Sequence, residues 1–150
     1  MATPGKPSYT GLFRHALDDK NRVTIPSAWR AGHVDEDVFL ATPHPDGFIA
    51  ILPPSEVEKL HEKVSQIPLS DGSGQEFVAH FFSQTQNIWF DSQGRVMLNA
   101  ELLRHAGIGK DAVLVGTLAK FHVYSAERWN SLEQRATSQT NRESMRRMGI

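Results

Sequence analysis

The sequence contains no cysteine and no long apolar stretch. Without cysteine the chain forms no disulfide bond and offers no thiolate for catalysis or metal binding, which suits a reducing compartment. Residues 1–8 contain two prolines and one glycine but no apolar segment of the signal-peptide type. No apolar run approaches the ~18 residues that span a bilayer. We therefore expect a soluble, cytoplasmic protein with a flexible N-terminal arm.

The sequence also lacks the signatures of enzyme chemistry. Its seven histidines show none of the paired spacing that is typical of zinc ligands. No glycine-rich phosphate loop follows a predicted strand, and no Gly-x-Ser-x-Gly motif occurs. We therefore predict no catalytic residues, no metal site, no cofactor and no small-molecule substrate.

Charge is nearly balanced in total but unevenly distributed. The chain has 16 basic and 17 acidic residues, and its formal net charge is −1. Residues 35–76 carry nine acidic residues against two lysines, whereas residues 128–150 carry five arginines against two glutamates. A basic face can therefore exist on a nearly neutral chain, which keeps nucleic acid open as a partner. The alternative is an ordinary solvated surface, and charge alone favours that alternative.

One short pattern occurs twice, 73 positions apart: residues 18–22 (the first turn) and residues 91–95 (the second turn). Each reads Asp, two polar residues, a residue that tolerates positive φ, and Arg, and is followed by a short apolar run. The tolerant residue is Asn21 in the first turn and Gly94 in the second. The pattern predicts that each copy is a tight turn that leads into a strand.

The charged residues of the two turns admit two interpretations. Asp18 and Asp91 are expected to shape the turns by accepting backbone N–H bonds. Arg22 and Arg95 have the geometry to donate two parallel hydrogen bonds to a guanine edge, or to bind a phosphate. Alternatively, both arginines form ion pairs with the aspartates and only stabilise the fold. The residues alone leave both roles open.

The predicted elements follow the same order in both halves: strand, turn, strand, short helix, hairpin, longer helix. In the hairpins, the offset of 73 places Phe48 opposite Phe121 and Ile51 opposite Tyr124. A match of this length indicates an internal duplication. Pairing of the two copies would close their strand edges and bury both apolar faces. We therefore predict an α+β fold built as a duplicated β-barrel with internal pseudo-two-fold symmetry and flanking helices.

Hydrophobic spacing predicts longer helices over residues 55–67 and 75–84, and a last helix from about Ala126. In the second of these, three phenylalanines are expected to form a core stripe: Phe77, Phe81 and Phe82. The predicted segments are a flexible arm (1–8), a first half (9–67), a linker (68–74), a second half (75–134) and a disordered basic tail (135–150).

The residues around both turns resemble a known family. Residues 11–26 resemble the opening of the bacterial MraZ family, and residues 90–96 resemble its second Asp-x-x-x-Arg signature. The resemblance covers about residues 9–132, with both signatures and both hairpins in order. It implies the swapped-hairpin barrel of the AbrB-like superfamily, with both halves fused in one chain.

The same resemblance implies a function. MraZ proteins are ring-forming, sequence-specific DNA-binding transcriptional regulators, here expected to repress the division and cell-wall gene cluster from repeated boxes in the promoter. The implied partners are double-stranded promoter DNA and further copies of the chain, with no membrane, and the implied location is the cytoplasm and its nucleoid. The DNA-binding residues carried over to this sequence are Lys20, Arg22, Arg95 and Arg14.

These residues are not equivalent. Arg14 is at most a phosphate contact, and Arg95 has two further open roles, as a structural residue or as a contact with a neighbouring subunit. The first turn has Asn21 where many members have glycine, and the second turn has Gln93 where the first has Lys20. An alternative function is a ring-forming protein-interaction module without direct DNA readout, which would use the acidic region of residues 35–76.

Overall fold

The computed structural model describes residues 7–150, so most of the arm predicted for residues 1–8 lies outside the described residues. The strands are β1 (Leu12–Ala16), β2 (Arg22–Thr24), β3 (Phe39–His44), β4 (Phe48–Leu52), β5 (Gln86–Ile88), β6 (Arg95–Met97), β7 (Asp111–Gly116) and β8 (Phe121–Ser125). The helices are α1 (Ser27–Arg30), α2 (Pro54–Ser65), α3 (Gly72–Ser83), α4 (Ala100–Ala106), α5 (Ala126–Arg135) and α6 (Ser138–Met148). None of these helices is long and apolar enough to cross a membrane.

The strands form two antiparallel sheets. The larger sheet has six strands in the order β1-β7-β8-β4-β3-β5, and the smaller consists of β2 and β6. The prediction of an α+β fold is therefore confirmed. The prediction of a closed barrel is wrong, because β1 and β5 are the two ends of the larger sheet. The short strands β2 and β6 pair with each other as a separate ladder and do not join those ends.

The two halves of the chain are interleaved in these sheets. Strand β1 of the first half pairs with β7 of the second, and β5 of the second half pairs with β3 of the first. In the smaller sheet Val23 lies opposite Val96, with Arg22 opposite Met97 and Thr24 opposite Arg95. Val23 and Val96 are buried, so their side chains anchor this sheet to the core. The flanking arginines consequently lie on its outer face.

The second strands of the two hairpins match with an offset of 72, not 73. Ile49 and Ile51 lie in the main core together with Phe121 and Val123. Phe48 belongs instead to a second cluster, on the other face of the sheet. The predicted equivalence of Phe48 with Phe121 is therefore wrong by one position.

The shift arises in the hairpin loops. In the first hairpin His44 pairs with Phe48 across three loop residues. In the second hairpin, the N–H of Thr117 donates to the carbonyl of Lys120 at 2.9 Å across only two loop residues. A one-residue difference in loop length reverses which side chains face the core in the strand that follows.

The C-terminal residues 135–150 differ from the prediction of a disordered tail, because they contain the helix α6. The hydroxyl of Thr137 accepts from the N–H of Thr140, and the Thr140 hydroxyl accepts from the N–H of Thr137, which is a capping box. Gly149, with φ of 75°, ends the helix in the left-handed conformation. These caps satisfy backbone groups at both ends, although none of the residues of α6 is buried.

Helix α3 also differs from its prediction. It begins at Gly72, within the predicted linker, because the Asp71 side chain caps it by accepting from the N–H of Gly74 at 3.0 Å. None of its residues is buried, and Phe77 is 65% exposed. The prediction that its phenylalanines form a core stripe is therefore wrong.

Candidate nucleic-acid interface

The first turn is built around the carboxylate of Asp18. Its Oδ1 accepts from the backbone N–H groups of Lys20 and Arg22, each at 2.9 Å. Its Oδ2 accepts from Nε of Arg22 at 2.7 Å. Asn21 has φ of 59°, which closes the turn, and the N–H of Asp18 donates to the carbonyl of Arg22 at 2.9 Å. One carboxylate therefore fixes both the backbone of the turn and the direction of its arginine.

The second turn repeats this arrangement. Asp91 Oδ1 accepts from the N–H groups of Gln93 and Arg95 at 2.9 Å, and Oδ2 accepts from Arg95 Nε at 2.8 Å. Gly94 has φ of 73° in the position of Asn21. The predictions that the aspartates shape the turns, and that Asn21 and Gly94 close them, agree with this geometry.

These hydrogen bonds favour the ionised form of both aspartates. The pKa of Asp18 is lowered, chiefly by the backbone hydrogen bond from Arg22. For Asp91, desolvation by burial raises the pKa, but the backbone hydrogen bonds from Arg95 and Gln93 outweigh it, and the net shift is downward. Both carboxylates therefore remain charged and hold their arginines at neutral pH.

The two turns are locked together by their backbones. The N–H of Ile25 donates to the carbonyl of Gly94, and the N–H of Leu98 donates to the carbonyl of Asn21, each at 3.0 Å. Each turn thus accepts a hydrogen bond from the end of the other turn's strand. The small sheet and both turns therefore form one hydrogen-bonded unit.

The arginines nevertheless differ in their partners. Nη1 of Arg95 lies 3.8 Å from Oδ2 of Asp18, in addition to its bond with Asp91. Within residues 7–150 the ion pairs include no reciprocal contact between Arg22 and Asp91. The terminal nitrogens of Arg22 are therefore more available to a ligand than those of Arg95.

Exposure separates the remaining basic residues. Lys20 is exposed at the tip of the first turn, and among the described residues it belongs to no ion pair. Arg14 is exposed on β1, opposite Val113 of β7, on the strand that leads to this turn. At the tip of the second turn, Gln93 is also exposed but carries no charge. Lys20 and Arg22 therefore lie together in the first turn, whereas Arg14 lies on the face of the large sheet that carries Val113, away from the main core.

A shallow groove of about 260 Å³ lies beside the two arginines. Its lining includes Arg22, Arg95, Met97 and Trp89, and the last two are 55% and 58% exposed. Asp91 also lines this groove and pairs with Arg95, so the arginine charges are partly balanced, and Trp89 and Met97 supply apolar walls. The groove contains no grouping of nucleophile, base and oxyanion donor that would indicate catalysis.

Comparison with known proteins gives the family. The sequence profile described as "MraZ protein, putative antitoxin-like" matches residues 81–148. The transcriptional regulator MraZ of Natranaerobius thermophilus is 35% identical over 130 residues, which cover 87% of this chain and 90% of that protein. The chain belongs to the MraZ family. The transcriptional regulators MraZ of Clostridium acetobutylicum and Lactobacillus johnsonii are also 35% identical, over 121 and 128 residues, covering 81% and 85% of this chain and 84% and 88% of theirs.

Sequence reasoning from the MraZ signatures misses one residue of this site, Arg30. Its Nε donates to the carbonyl of Ile25 at 3.1 Å, and its guanidinium covers Gly94 so closely that a Cβ there would lie 2.5 Å from the Arg30 Cζ. Arg30 belongs to α1, and only the packing of that helix places it over the second turn. No spacing in the sequence indicates this contact.

Proposed function

We propose that the protein is a sequence-specific DNA-binding transcriptional regulator, and that it represses the division and cell-wall gene cluster from repeated promoter boxes as a ring oligomer. The observation that carries the proposal is the first turn, where Asp18 holds Arg22 by its Nε and the exposed Lys20 has no ion pair within the described residues. The relatives named as transcriptional regulators support the same assignment.

The geometry of the first turn suits base recognition. An arginine held by Nε keeps its terminal Nη groups directed outward, where they can donate two parallel hydrogen bonds to guanine O6 and N7. Holding the side chain before binding reduces the conformational entropy lost when the contact forms. Lys20 supplies a point charge for a phosphate, which positions the protein without reading sequence. Arg14 is assigned at most a peripheral phosphate contact.

The role proposed for Arg95 is chiefly to position the first turn. Its contact with Asp18 adds positive charge beside the carboxylate that orients Arg22. Contact between Arg95 and DNA is secondary in this proposal, because the second turn carries no lysine. The exchange of β1 and β5 between the halves supports a swapped-hairpin relation of the AbrB-like type.

Oligomerisation is needed to make such a site effective. Two or three cationic contacts per subunit give weak and salt-sensitive binding. Several identical turns in one ring, facing repeated boxes, raise avidity by about 10²–10⁴ without any new contact. The spacing of the boxes would then match the spacing of adjacent subunits. The protein would act in the cytoplasm, in association with the nucleoid.

The proposal is tested by footprinting the full-length protein on the DNA upstream of its own gene. We expect protection of short repeated boxes at a regular spacing, with an affinity that falls steeply as salt is raised. Protection without sequence preference, or no protection, would overturn the proposal. A partner protein that is retained after nuclease treatment, together with no footprint, would instead favour the protein-interaction module.

A further inference from the structure

A second feature of the surface is an apolar groove beside α2. The groove measures about 570 Å³, and its apolar lining comes from α2, α3 and β3 with the residue before it: Val38, Leu40, Val57, Leu60, Val64 and Phe82. Val38 is 42% exposed, and no residue of α2 is buried. The groove shares Asn87 with the groove beside the two arginines, but no residue of either turn lines it.

The second half of the chain shows why this groove is open. There α5 packs Trp129 and Leu132 against a cluster that includes Phe48 and Tyr124. At the offset of 72 that relates the hairpins, Val57 and Leu60 of α2 correspond to Trp129 and Leu132. A valine in place of a tryptophan removes most of the apolar volume that fills the equivalent space. The groove beside α2 is therefore open in the first half, whereas the equivalent space beside α5 is filled in the second half.

The helix α6 has exposed apolar side chains on one face, and none of its residues is buried. Met145 and Met148 are 50% and 67% exposed, and a spacing of three places them on one face of the helix. Ile150, just beyond the helix, is 76% exposed. Residues of α6 are absent from the lining of the groove, so α6 does not fill it within its own chain.

The charges of the two surfaces are complementary. Helix α6 carries three exposed arginines and one glutamate: Arg142, Arg146, Arg147 and Glu143. Glu58 and Glu62 lie exposed on α2 next to the lining residues, together with Lys59 and Lys63, and Asp35 and Glu36 lie exposed shortly before Val38. A basic helix with an apolar row therefore matches an apolar groove whose surroundings carry more acidic than basic side chains, as in the helix-in-groove mode of recognition.

We propose that the groove binds α6 of a second copy of this chain. This contact is heterologous, because each copy contributes a different surface, and repetition of it produces a ring if the rotation closes. The inference rests on the oligomer in the proposed function and identifies the surfaces that would assemble it. It does not depend on which residues contact DNA.

The absence of cysteine allows a direct test in the full-length chain, without DNA. Two single variants, Val64→Cys and Met148→Cys, are mixed under mild oxidation, and the products are resolved by mass. We expect a disulfide between the two variants at a yield well above that of the control. The matched control replaces Val64→Cys by Ala119→Cys, an exposed position on the second hairpin, and should give only background. An equal yield from the control, or no disulfide between Val64→Cys and Met148→Cys, would overturn the inference.

A charge exchange provides a second measurement of the same contact. In the double variant Arg146→Glu/Arg147→Glu, light scattering should show the mass falling toward that of a single chain. Adding Glu58→Arg/Glu62→Arg should restore the assembly, whereas Lys110→Glu, an exposed control, should leave it intact. An unchanged mass in Arg146→Glu/Arg147→Glu, or no restoration, would contradict the inference. If the disulfide forms but no footprint appears, the proposed DNA function fails while this contact stands. If a footprint appears but no disulfide forms, this contact fails while the proposed DNA function stands.

Discussion

The first and second turns have the same shape but different surroundings. In both, an aspartate accepts two backbone N–H bonds and the Nε of an arginine, at distances that agree within 0.1 Å. In the second turn, Arg30 covers Gly94, and Arg95 also pairs with Asp18 of the first turn. In the first turn, Lys20 is exposed to solvent. Duplication has therefore preserved the hydrogen bonds that make the turn, while the exposed charges have diverged.

This difference indicates that the two turns have different roles. Because the ladder of β2 and β6 joins both turns, a change in one is transmitted to the other through shared hydrogen bonds. The second turn can then act as a support that fixes the first in place. Such preorganisation favours binding, because less conformational entropy is lost when the ligand is bound.

The largest expected effect comes from removing each arginine in turn. Arg22→Ala should weaken binding to the upstream DNA by about 5- to 150-fold, which corresponds to the roughly 1–3 kcal/mol of a bidentate base contact. Arg95→Ala should weaken it by only a few-fold, through the position of Asp18. Mobility-shift titrations at one fixed salt concentration measure both affinities.

Arg95→Ala is a matched control, because it removes the same bond from Nε to an aspartate as Arg22→Ala. Any general loss of stability should therefore be similar in the two variants, and urea unfolding checks this. Equal losses of DNA affinity in the two variants would mean that the two turns do not have the different roles described above.

A smaller effect is expected from exchanging the residues that close the turns. Gly94→Asn should reduce the free energy of unfolding by about 1 kcal/mol, because the new side chain displaces Arg30 from its hydrogen bond with Ile25. Asn21→Gly should change it by less than about 0.5 kcal/mol. Urea denaturation measures both values.

The mechanism is checked by repeating the exchange at Gly94 in an Arg30→Ala background. There, Gly94→Asn should cost little, because no guanidinium remains to be displaced. If the cost were the same with and without Arg30, the strain would come from the backbone of the turn alone.

Much of this molecule follows from local sequence rules. The turns are predictable, because Asp followed by Asn or Gly before Arg gives hydrogen bonds confined to five residues. The α+β class and the order of elements follow from hydrophobic spacing. The caps of α6 involve nearby residues too, Thr137 and Gly149, and such caps are a local sequence signal for a helix.

The rest depends on packing between distant residues. The barrel does not close, because β2 pairs with β6 and leaves β1 and β5 as edges, and no local signal determines that choice. The roles of Arg30 over Gly94 and of Arg95 beside Asp18 likewise arise from contacts between the halves. The predicted core stripe in α3 is wrong, and Phe77 is exposed, because helical spacing shows which residues share a face but not whether other elements cover that face.

The most direct test of the division between the turns is an exchange of the charges at their tips. The salt dependence of DNA binding is measured for Lys20→Gln and, separately, for Gln93→Lys. The account predicts that Lys20→Gln reduces the slope of log affinity against log salt by about 0.9, the value for one phosphate contact, and that Gln93→Lys leaves the slope unchanged. An unchanged slope for Lys20→Gln, or an equal and opposite change for Gln93→Lys, would contradict it.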